Sequence, residues 1–215
     1  MTSSRPRIVM IAAVLLAAVA VVVGGMLLGS DRSAAPAPGQ AKAEAAGTLR
    51  AGAFDPPKAA PDFVLRGSNG GDLTLSRYRG KVVLMTFGFT YCAAVCPTTL
   101  ATLSEARESL GEDADSVQIV FITVDPARDD PAHLQGYLST FGTGLVGATG
   151  SEEELAKVRE LYGVSAARQG DGPDYAMAHT SSIFLIDPAG RLRGMMPFGH
   201  DADDFAHDIR LLLKA

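Results

Sequence analysis

Only two cysteines occur in the 215 residues, Cys92 and Cys96, and they stand four positions apart in TFGFTYCAAVCPTTL. An apolar run (Val82, Val83, Leu84, Met85, Phe87, Phe89) ends just before them, and a helical pattern begins just after. On a helix, or in a tight loop entering one, positions i and i+4 face the same way, so the two sulfurs converge. Three chemistries are open to such a pair. It can hold a thiophilic metal, exchange as a dithiol, or close a small disulfide. A disulfide suits an exported protein, but so short a loop contributes little entropic stabilisation. The spacing also differs from the C-x-x-C of redox motifs. A helix N-terminus at this place is expected to acidify both thiols.

A third group for the site is not evident from residue types alone. His133, His179, His200 and His207 are equivalent on that ground. Met177, Met195 and Met196 could offer thioether sulfur, although methionine more often fills core gaps. Tyr91, beside Cys92, reads as a packing residue.

The elements that must position these side chains can be traced in order. Asp62 to Leu65 and Asp72 to Leu75 alternate around Ser-Asn-Gly-Gly, a hairpin signal. Lys81 to Phe89 reads as a buried strand, and Pro97 to Leu110 as a helix stopped by Gly111. Val117 to Val124 is a second apolar strand, followed by a helix over Pro131 to Phe141. Ser151 and Glu154 form a capping box ahead of Leu155, Val158 and Leu161. Ile183 to Ile186 and Leu192 to Met196 flank an Asp-Pro-Ala-Gly turn. A final helix, Asp201 to Leu213, carries Phe205, Ile209, Leu212 and Leu213 on one face. Strands alternating with helices predict an α/β sandwich with a mixed sheet. Internal repeats and Gly-rich phosphate loops are absent from the sequence.

Ahead of this domain, Ile8 to Leu28 carries no charge and follows Arg5 and Arg7. A run of that length can cross ~30 Å of hydrocarbon as a helix. The arginines favour a cytoplasmic N-terminus, so residues 1–29 are expected to be an uncleaved single-pass anchor in a bacterial inner membrane. The domain would then face the periplasm; a cleaved signal peptide is the alternative. Residues 30–60, rich in Ala, Pro and Gly, read as a linker, and 61–215 as the folded domain. From Asp62 onward, Asp and Glu outnumber Lys and Arg by 21 to 13, a balance of −8. That argues against nucleic acid as a partner.

A buried strand that ends in cysteine and feeds a helix, then βα units and a βββα-like tail, looks like a thioredoxin fold. More specifically, the chain resembles the SCO/SenC family of membrane-anchored copper chaperones. The segments FGFTYCAAVCPTTL, VFITVDPARDDPAHLQGYLSTFG and DYAMAHTSSIFLIDPAGRLRG carry the resemblance, together with the single N-terminal hydrophobic run. The resemblance implies that Cys92, Cys96 and His179 bind one copper ion per chain. It places Asp125, Arg128 and Asp129 in a loop near that site, behind the ligands or facing a partner. It implies a metallochaperone rather than an enzyme. The client would be the copper-bearing subunit of cytochrome c oxidase, with its dinuclear centre, and another periplasmic copper carrier could serve as donor. Thiolates favour Cu(I), and an added imidazole lets the same site accept Cu(II). Ala93 and Ala94 replace a proline and an acidic or small polar residue of the family pattern, and Ala178 replaces an aspartate. Two other functions use the same thiols: a thiol-disulfide oxidoreductase acting on exported clients, and a copper or redox sensor.

Overall fold

The apolar run that precedes the cysteines forms the middle of the sheet. The computed structural model describes residues 47–215. Strands β1 (Gly52–Ala59), β2 (Val64–Gly67) and β3 (Asp72–Thr74) lead to β4 (Val82–Gly88), every residue of which is buried. Helix α1 (Val95–Glu108) connects β4 to β5 (Val117–Thr123). Helix α2 (Pro131–Leu138), β6 (Leu145–Thr149) and α3 (Glu152–Tyr162) follow. Two hairpins come next, β7 (Ala166–Gln169) with β8 (Ala176–His179) and β9 (Ser182–Ile186) with β10 (Arg191–Pro197). Helix α4 (Ala202–Leu212) completes the order.

The main sheet runs β1-β10-β9-β4-β5-β6-β2-β3. Strands β4, β5 and β6 are parallel, while β9 lies antiparallel on the other side of β4. Parallel strands covered on both faces need continuous apolar sequence, which VVLMTFG and VQIVFIT supply. The unit β4-α1-β5, closed by β9-β10-α4, is the expected thioredoxin-like α/β arrangement with a mixed sheet. Helix α1 buries Leu100 and Leu103, and α4 buries Phe205, Ile209 and Leu212. The two helices pack against each other, and α2 packs on β6. The capping box on α3 is present: Glu154 N–H donates to Ser151 Oγ, and Ser151 N–H donates to Glu154 Oε2 at 2.7 Å. Asp130 and Asp201 cap α2 and α4 one way only, accepting from the His133 and Asp204 N–H groups.

Three features differ from the reading of the sequence. The folded unit begins earlier than residue 61, because β1 pairs with β10 along the sheet edge and Ala51 and Ala60 are buried. An edge strand has only one neighbour and little to bury, so a Pro- and Ala-rich composition is compatible with it. Helix α1 starts at Val95, which puts Cys96 inside its first turn. Strand β6 and the β7–β8 hairpin carry short or weakly alternating sequence and give no clear periodic signal. The hairpin forms a separate two-stranded sheet. The expected anchor and the first part of the expected linker lie outside the described residues. Among the described residues no helix is long and apolar enough to cross a membrane.

Candidate metal centre

The cysteine loop is set by how α1 begins. Its N-cap residue, Ala94, has no side-chain acceptor for the free N–H groups of the first turn. Cys92 serves instead, accepting the Cys96 N–H on its Sγ at 3.4 Å. Partial burial opposes ionisation of Cys92, but the N–H groups of Cys96, Ala94 and Val95 outweigh it, and its pKa falls below the ordinary thiol value. Cys96 behaves oppositely. Only 4 % exposed, it is pushed up to about 12, chiefly by burial and further by Cys92 and Asp129. The helix start therefore acidifies one thiol and not both, because Cys96 lies within the turn and points into the core. Both sulfurs are free.

Gly88 is a residue of this site that sequence reasoning passed over. A Cβ there would sit 2.6 Å from Phe121 Cε2 and 2.8 Å from Cys96 Sγ. Only a glycine lets the thiol settle against the end of β4. Its place in FGFT, between two aromatic residues of a buried strand, was the available signal.

His179 arrives from the other side. It ends β8, and the chain then enters β9, whose Ile183 pairs with Thr86 of β4. That connection brings the imidazole to the cysteine loop, where Nε2 lies 3.8 Å from Cys96 Sγ. His179 Nδ1 is 3.0 Å from the Thr180 carbonyl oxygen, which can only accept, so Nδ1 carries the proton. Nε2 thus presents a lone pair to Cys96. The Phe89 ring stands edge-on to the imidazole, with centroids 5.9 Å apart.

The Asp-Pro loop lies behind these groups. Asp129, fully buried, accepts from Thr90 N–H at 3.1 Å, Thr90 Oγ1–H at 2.6 Å and Thr123 Oγ1–H at 2.6 Å. It thereby fixes Thr90, two positions before Cys92. Burial raises its pKa, with these donors opposing. Asp125 pairs with Arg128 Nε at 2.5 Å and accepts the Tyr175 hydroxyl at 2.6 Å. Tyr91 is 58 % exposed and stacks on His133 at 5.7 Å, so it is a surface group and not a core packing residue.

The remaining candidates are engaged elsewhere. His133 Nε2 meets Thr90 Oγ1, His200 pairs with Asp204, and His207 meets the Thr48 carbonyl. Met196 is buried in the core, Met195 is exposed, and Met177 packs partly buried against the core. Among the described residues no three Cys, His, Asp or Glu side chains are already gathered closely enough to hold a metal ion. Cys92 Sγ is turned onto the helix N–H groups, while Cys96 and His179 meet. Two thiol sulfurs and one imidazole nitrogen are soft donors of the kind that suit copper.

A thioredoxin-like fold with a dithiol at the start of its first helix and an imidazole against the buried thiol defines the class of this protein. The chain belongs to the SCO1/SenC family, whose sequence pattern matches residues 52–214. A SCO2-like protein of Rickettsia conorii is 37% identical over 133 residues, covering 60% of this chain and 65% of that protein. The mitochondrial SCO2 homolog of Mus musculus is 37% identical over 158 residues, covering 72% of this chain and 62% of that protein. The chain therefore spans less than two thirds of the length of these two relatives. The structure of Bradyrhizobium japonicum ScoI with copper bound is 38% identical with a TM-score of 0.66, covering 71% of this chain and 98% of that one.

Proposed function

We propose that this chain binds copper as its cargo through Cys92, Cys96 and His179 and passes it to the copper-bearing subunit of cytochrome c oxidase during assembly. The observation that carries the reading is the approach of the His179 Nε2 lone pair to Cys96 Sγ. A metal site uses that lone pair as a third ligand, whereas a dithiol needs no third ligand to exchange. The copper-bound relative of the same fold supports the choice of metal. Binding displaces protons from the two thiols, readily from Cys92 and only against the incoming cation from Cys96. Three protein ligands leave one side open for hand-over to a client. An inner-membrane anchor in Ile8 to Leu28, holding the domain on the periplasmic side, fits delivery to a membrane-bound oxidase.

A second reading is favoured by the unequal thiols. A half-buried thiol of lowered pKa beside a buried one of raised pKa is the arrangement of a dithiol reductant, with Cys92 attacking and Cys96 resolving. One experiment separates the two. Cu(I)-loaded protein is mixed with the reduced, copper-free client domain, and the metal is followed. Copper appearing on the client supports delivery. In a parallel arm the reduced, metal-free protein is mixed with the oxidised client. Copper that stays put in the first arm, with reduction of the client and oxidation of Cys92 and Cys96 to a disulfide in the second, supports the reductant.

A further inference from the structure

We propose that Arg128 is the positioning residue that clamps the His179 hairpin to the cysteine loop. Its guanidinium carbon lies 3.7 Å from the centroid of Tyr175, 4.7 Å from that of Tyr91 and 5.8 Å from that of Phe89. Tyr175 belongs to the hairpin, four residues before His179. Tyr91 is the neighbour of Cys92, and Phe89 stands edge-on to the His179 ring. One cation therefore touches both segments that bear the candidate ligands.

The clamp has a rigid base. Arg128 Nε pairs with Asp125 Oδ2, and the Tyr175 hydroxyl donates to the other oxygen of the same carboxylate. Asp125 is 3 % exposed, and its own N–H donates to Thr123 Oγ1 at the end of β5. Arg168, from strand β7, lies 3.8 Å over Tyr175. Two guanidinium groups that close cannot share one face of a ring, so Tyr175 is sandwiched between them. Arg128 Nη2 finds no hydrogen-bond partner among the described residues. The group is thus held by ring faces and one ion pair, which calls for a flat, delocalised cation. Lysine, a compact point charge, cannot replace it.

The hairpin needs such a fastening. Strands β7 and β8 are not joined to the main sheet, and an isolated two-stranded hairpin is marginal in water. Its ladder alone does not tie it to the cysteine loop. Besides the β8–β9 connection and the packing of Ala166 and Met177 on the core, the clamp supplies the side-chain contact between the two segments.

The test uses the reduced, metal-free full-length protein with Arg128→Lys, Arg128→Met and Tyr175→Leu. Amide hydrogen exchange is read at residues 176–179, with β5 as the internal control. Protection in the hairpin should fall about tenfold in the Met and Leu variants, the size expected for loss of a partly buried cation–π contact. The Lys variant should recover less than half of it, and β5 should be unchanged in all three. Parent-like protection in Tyr175→Leu, or full rescue by Arg128→Lys, would overturn the proposal. If Arg128→Met does not fold, the other two variants decide. A second readout rests on the copper reading: the nitrogen signature of His179 in the Cu(II) electron paramagnetic resonance spectrum should weaken in Tyr175→Leu. A parent that binds no copper would sink the proposed function, while the exchange data would still decide the clamp.

Discussion

Cys96 Sγ and His179 Nε2 lie 3.8 Å apart although 83 residues separate them in the chain. The thiol is held by the first turn of α1 and the imidazole by the β8–β9 connection, and Thr180 selects the tautomer that aims a lone pair at the sulfur.

That relationship divides the proposed ligands by role. Cys96→Ser and Cys92→Ser should each remove tight Cu(I) binding, since one thiolate and one imidazole make a poor Cu(I) site. His179→Ala should abolish or weaken Cu(II) binding and leave the Cys92/Cys96 reduction potential little changed. Chelator competition and a redox titration on the same preparations check both. Copper retention by Cys96→Ser equal to the parent would refute the assignment.

The two thiols should differ in reactivity. Cys92 is half-buried and acidified, whereas Cys96 is buried and pushed up to about 12. At about pH 7 iodoacetamide should modify Cys92 at least about tenfold faster than Cys96 in the reduced, metal-free protein. Peptide mass spectrometry after short pulses measures this. Raising the pH should speed Cys92 first, because its thiolate forms at the lower pH.

Gly88→Ala should disturb the site through packing alone. The new methyl would meet Phe121 and Cys96 Sγ well inside contact distance. The expected cost is about 1–3 kcal/mol in urea unfolding, with a weakened Cu(I) affinity because Cys96 must shift. A variant as stable as the parent and with unchanged affinity would show that the strand end is looser than its geometry implies.

Asp129→Ala would leave the partly buried Thr90 N–H and the buried Thr123 hydroxyl without their acceptor. A loss of about 1–3 kcal/mol is expected. Asp129→Asn should lose less, since its amide oxygen can still accept from the Thr90 N–H and the Thr123 hydroxyl. Equal stability of the Ala variant and the parent in denaturant titrations would contradict this role.

Acid stability should depend on Asp187. Burial opposes its charge, but the backbone N–H of Arg191 and the side chains of Arg193 and Arg191 overcome that and lower its pKa. The folded carboxyl is more acidic than the unfolded one, so its contribution is present above the ordinary value of about 4 and is lost as pH falls through the folded pKa. The stability gap between parent and Asp187→Asn should therefore be widest near about pH 6 and narrow toward about pH 2. Urea midpoints across that range would reveal a constant gap if the argument fails.

Much of this molecule is legible in its sequence because the relevant physics is local. The buried runs of β4 and β5, the Ser151–Glu154 capping box and the spacing of Cys92 and Cys96 each follow from residues within one turn or one strand. The pattern around His179 marked it by resemblance, while residue type alone left it equal to three other histidines. What only the tertiary structure decided involves partners far apart in the chain. Strand β1 is a strand because β10 offers its edge. Cys92 and Cys96 diverge in acidity because one sulfur faces helix N–H groups while the other is buried against Gly88 and Phe121. Arg128 meets Tyr91 and Tyr175 only after β4, β5 and the β7–β8 hairpin have come together. Burial and through-space electrostatics depend on such neighbours, and no sequence window contains them.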